Sequence, residues 1–74
     1  MLIKFEIYFD GEYWCARGVG ADIFTQGETM DSLMENIKEA TALHFEEDLE
    51  KAGLINVLAL SEMEVRCVSK TATG

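Results

Sequence analysis

The stretch IKFEIYFDG, residues 3–11, decides the fold. Ile3, Phe5, Ile7 and Phe9 recur at every second position, with Lys4, Glu6 and Tyr8 between them. Successive side chains of a strand point to opposite faces, so this period of two reads as a half-buried strand. Asp10-Gly11 follows, a dipeptide that tolerates the positive φ of a hairpin turn. Glu12 to Arg17 read as the returning strand. Tyr13, Trp14 and Cys15 favour β structure there without showing which face is buried.

Gly18-Val19-Gly20-Ala21-Asp22 reads as a loop, and Ile23 to Gln26 as a third, short strand closed by Gly27. A helix is expected next. Thr29 suits its N-cap, and Glu28 and Asp31 suit the positive end of its dipole. Met30, Leu33, Met34, Ile37, Ala40, Thr41 and His44 share one side at helical spacing, with Asp31, Glu35, Glu39, Ala42 and Glu46 opposite. Asp48 would return to the apolar side, so the pattern fails near it, and Gly53 is a natural stop.

Leu54 to Leu60 has six apolar residues in seven and no clear period. A strand, a short helical turn and a buried connection all fit it. Ser61 to Val68 alternate again, with Met63, Val65 and Cys67 against Glu62, Glu64 and Arg66, and read as the final strand. Ser69 to Gly74 read as a frayed tail.

The order β-β-β-α-β predicts one α+β domain over residues 1–74, a single sheet with one helix packed on one face. Hairpins make the first three strands antiparallel. The helix is a crossover, which sets the last strand parallel to the first with a right-handed connection.

A chain of 74 residues has room for one thin core. The formal net charge is -8. Residues 28–51 hold Glu28, Asp31, Glu35, Glu39, Glu46, Glu47, Asp48 and Glu50 against Lys38 and Lys51. Phosphate contacts need clustered Lys and Arg, so this balance argues against direct nucleic-acid binding and against docking on anionic membranes. It favours a basic protein partner, mainly through a faster on-rate. The longest apolar run is far short of the roughly 20 residues of a spanning helix, and no secretory signal is evident, so a cytoplasmic protein is expected.

Three stretches carry a resemblance: DGEYW at Asp10–Trp14, TQGET at Thr25–Thr29 and LMENIKEA at Leu33–Ala40. In this order and spacing the chain resembles the HicB-like antitoxins, over roughly residues 3–47. The resemblance implies a partial ribonuclease-H-like sheet without nuclease carboxylates. It also implies a partner, a small basic HicA-like toxin that cleaves mRNA. Many such antitoxins carry a DNA-binding segment after this domain. None is expected here, because the chain ends soon after its last strand. The chain also has no proline, and Gly18 to Ile23 stand where the family has a proline-containing turn. It therefore resembles a short, stand-alone, divergent member.

No residue set points to catalysis. His44 has no orienting partner in any motif and falls on the apolar side of the helix, so it reads as a core or interface residue. Cys15 and Cys67 lack metal or redox spacing and read as buried reduced thiols. Asp31, Glu35 and Glu39 lie one turn apart as an exposed stripe, unlike nuclease carboxylates at a sheet centre. The glycines Gly18 and Gly20 lack the following helix of a phosphate site. A non-enzyme without metal or cofactor is expected. Its candidate partner interface is Tyr8, Trp14, Asp31, Glu35, Glu39, Leu54, Val57 and Leu58. The Leu54–Leu60 run either completes the thin intramolecular core or, as the second expectation, packs against another copy in a homo-oligomer, a dimer or higher.

Overall fold

The structure, a computed structural model, describes residues 1–68; the reading of Ser69 to Gly74 lies outside the described residues. The fold is α+β. Strands β1 (Leu2–Phe9), β2 (Trp14–Val19), β3 (Phe24–Gly27) and β4 (Asn56–Ser61) form one mixed sheet. Helices α1 (Met30–His44) and α2 (Glu46–Ala52) join β3 to β4. The strand order is β3-β2-β1-β4. The β1–β2 and β2–β3 pairs are antiparallel, and β4 runs parallel to β1, as the crossover requires. Among the described residues no helix is long and apolar enough to cross a membrane.

The first hairpin turns over four residues, because β2 starts at Trp14 rather than at Glu12. Asp10 organises it. Its Oδ1 accepts from the backbone N–H of Glu12 at 2.8 Å and of Tyr13 at 2.7 Å. Its own N–H donates to the Tyr13 carbonyl at 3.0 Å, and Gly11 takes φ 104°. An Asx turn of this kind replaces the two-residue turn that Asp-Gly signals.

The core is Ile3, Phe5 and Ile7 of β1, Ala16 of β2, Ile23, and Leu33 and Ile37 of α1. Phe9 shares their parity but is 52% exposed, at the strand end, where its ring tilts against Trp14 at 5.1 Å between centroids. Thr29 caps α1 by accepting from the Ser32 N–H at 3.0 Å. Asn36 Nδ2 donates to the Gln26 carbonyl at 2.7 Å and ties α1 to β3.

The single helix of the sequence reading is two. Phe45 adopts φ -114° and ψ 40° and interrupts the run, and its ring packs on the core cluster. Helix α2 then carries the acidic residues around Asp48 with no buried side chain of its own. Gly53 ends it in the left-handed conformation, φ 80°.

The final strand also moves. The uncharged run Asn56–Ser61, which has no clear period, is β4. Residues 62–68, which alternate, have no regular secondary structure. Alternation marks a strand with one buried face, whereas β4 is apolar on both faces. Val57 and Ala59 share the core side with Ile3 and Phe5, and Leu58 and Leu60 share the other side with Lys4 and Glu6. Leu49 of α2, with Ile55 and Val57, lines a hollow beside Lys38, Thr41 and Ala42, which places α2 near the core side of β4.

Candidate protein-interaction surface

The cross-strand registers assemble the outer sheet face, away from α1. Lys4 lies between Leu58 and Val19, Glu6 between Leu60 and Arg17, and Tyr8 beside Cys15. Phe24 lies beside Arg17. Neither helix covers this face among the described residues: Leu2 is 54% exposed, Phe24 55% and Leu60 47%. Tyr8 and Leu58 are exposed too. Apolar side chains thus flank a polar centre. Arg17 there pairs with Glu6 (Nη2 to Oε2 3.5 Å) and lies 5.9 Å from the Tyr8 ring centroid. Both members of that ion pair are more than half exposed, so it orients the side chains more than it stabilises the fold.

The structure brings some of the expected interface residues together and separates others. Tyr8 and Leu58 share the outer face. Trp14 has the parity of Phe9 and Ala16, so it lies on the core face, half-buried against the cluster. Val57 is on the core side of β4. Leu54 is exposed in the loop before β4. Asp31, Glu35 and Glu39 are exposed on the solvent side of α1, the far side of the molecule from Tyr8. Leu2, Arg17, Phe24 and Leu60 belong to the outer face and escaped the sequence reading. The shared parity of Leu58 and Leu60, and of Leu2 and Tyr8, is the signal that finds them once the pairing is known.

His44 is not a core residue. It is exposed at the end of α1, with its ring edge on Phe45 at 4.7 Å. The break at Phe45 turns the chain before the apolar side of the helix can reach it.

The two cysteines differ. Cys67 is exposed outside any strand, against the expectation of a buried thiol. Cys15 is buried, although it points away from the core cluster. Its Sγ donates to Asp10 Oδ2 at 3.6 Å. Burial, and then the Asp10 carboxylate, push its thiol above the ordinary range. The N–H groups of Tyr13 and Glu12 hold the Asp10 carboxyl below its ordinary value. The thiolate is the reactive form of cysteine, so a buried thiol beside a fixed anion is inert. A colorimetric thiol reagent at neutral pH is expected to label Cys67 in the folded protein and both cysteines after denaturation. Fast native labelling of Cys15 would contradict this burial. Among the described residues no three His, Cys, Asp or Glu side chains converge as a metal site.

Comparison with family models, with curated proteins and with solved structures finds no match to this chain.

Proposed function

We propose that the chain is a cytoplasmic protein-binding module of the HicB-like antitoxin kind, which binds and neutralises a small basic mRNA-cleaving toxin. The observation that carries this reading is the bare outer sheet face, where Leu2, Tyr8, Phe24, Leu58 and Leu60 lie in the open around Glu6 and Arg17. An apolar patch with a polar centre favours a protein partner, with aromatic and leucine side chains as its contacts. The net charge of -8 favours a basic one. The acidic stripe on α1 faces away from this patch, so its part is long-range steering rather than contact.

The test is a tagged pull-down from the native cell, with the co-purified protein identified by mass spectrometry and its affinity measured by calorimetry. A stoichiometric small basic ribonuclease is expected. Leu58→Asp should weaken its binding at least tenfold by setting a charge against an apolar contact. Asp31→Asn with Glu35→Gln should lower mainly the on-rate. A partner whose affinity ignores Leu58→Asp, or the lack of any basic partner, would overturn the reading.

A second reading is self-assembly without a toxin. Its supporting observation is β4, whose six residues are all exposed on the edge of the sheet. An uncharged edge strand without proline is a template for another chain.

A further inference from the structure

The segment after β4 has no strand beside it past Glu62, which still lines hollows next to Ile7 and Tyr8. Residues 62–68 are all exposed, with Met63 82% and Val65 87% accessible. None of these seven residues lies in a helix or a paired strand. Residues 62–68 form an arm that follows Ser61 and contains no glycine or proline.

The arm still has the pattern of a strand. Met63, Val65 and Cys67 alternate with Glu62, Glu64 and Arg66. Glu64 and Arg66 form an ion pair, as two residues on one side of an extended chain do. A half-buried pattern with no strand beside it lacks a partner, and the charge order names one. Pairing between two identical arms about a two-fold axis is antiparallel, and residues directly opposite share a face. With the axis at Val65, Glu64 of each copy meets Arg66 of the other. Met63 meets Cys67, and Val65 meets Val65. An axis at Glu62, Met63 or Glu64 sets Glu against Glu, and one at Arg66 sets Arg against Arg. Of the axes within the arm, the Val65 axis alone sets Glu64 against Arg66 in both directions, and Glu62 then lies opposite Val68 at each end.

We infer that the arm Glu62–Val68 pairs with the same arm of a second copy, antiparallel about Val65, and so joins two sheets into one homodimer. This rests on the self-assembly reading and adds its register. The ribbon is not free-standing, because each arm continues a β4 already seated in a four-strand sheet. Six apolar side chains from the two arms line one face, and two reciprocal ion pairs, flanked by Glu62 and Val68, line the other.

The experiment is sedimentation equilibrium on the whole chain and on three variants. Wild type is expected to be a dimer. Arg66→Glu, and separately Glu64→Arg, should raise the dimer Kd about tenfold or more, because each replaces two attractions by two repulsions. The double variant Glu64→Arg with Arg66→Glu should restore the wild-type Kd, because the exchange is neutral only about Val65. Oxidation with diamide should crosslink Val65→Cys in a Cys67→Ser background at the axis. Circular dichroism checks that every variant keeps the fold. A monomeric wild type at all concentrations would sink both self-assembly and the inference. A dimer that the double variant fails to restore and that Val65→Cys fails to crosslink would sink the register alone.

Discussion

Phe5→Ala is expected to cost about 4 kcal/mol and to leave most of the chain unfolded in dilute buffer. Phe5 has no exposed surface and sits at the centre of β1. Its neighbours in register are Gly18 on β2 and Ala59 on β4, both small. The ring fills the space those two residues leave, so neither can collapse into the cavity that alanine would create. A single core of this size supplies about 3–5 kcal/mol in total, which the loss nearly exhausts. Phe9→Ala is the matched control. It loses an exposed ring and its contact with Trp14, about 1 kcal/mol. Urea unfolding followed by circular dichroism separates the two. Equal midpoints for both variants would show that Phe5 does not anchor the core.

Gly27→Ala should be nearly as damaging for the opposite reason. A Cβ at Gly27 would lie 2.6 Å from the Leu33 nitrogen, 3.0 Å from its Cα and 3.0 Å from the Ser32 carbonyl carbon. All three are backbone atoms in the first turn of α1, so no side chain can swing aside. The helix must lift from β3, and Leu33, now fully buried, lifts with it. Overpacking of this kind costs about 3 kcal/mol, or roughly 15 °C in Tm for a domain of this length. Glu28→Ala, one residue on and exposed, should melt within a few degrees of wild type. A Gly27→Ala protein that melts with wild type would mean that α1 and β3 are not in contact at this point.

Legibility in the sequence followed the physical origin of each feature. The alternation of Ile3, Phe5 and Ile7 is a local property of a half-buried strand, and it gave β1 its core face without reference to the rest of the chain. Thr29 and Gly53 act on the backbone within a turn of themselves, so the start of α1 and the end of α2 were readable as well. β4 was not, because it is apolar on both faces and its pairing with β1 is a long-range event. The alternating arm after it looked more strand-like than β4 did, yet a strand also needs a neighbour. Trp14 and Tyr8 show the same limit at the candidate interface. Both are aromatic and near the hairpin, and only the register of the four-residue turn puts one on the core face and the other outside.

The break at Phe45 has a consequence for how the chain crosses the sheet. Helix α1 begins where β3 ends, beside the far end of β1, and β4 must start again beside Leu2. Fifteen helical residues travel about 22 Å, close to the length of β1, so α1 alone makes the journey along the strands. It lies over β3 and β2, however, whereas β4 sits three strand spacings from β3, about 14 Å sideways. A straight continuation would spend its length overshooting the sheet. The turn at Phe45 ends that run, and α2, Gly53 and the two residues before β4 cover the remaining distance to Asn56. The short acidic helix, which fully buries no side chain of its own, is thereby the spacer between α1 and the strand on the far edge of the sheet.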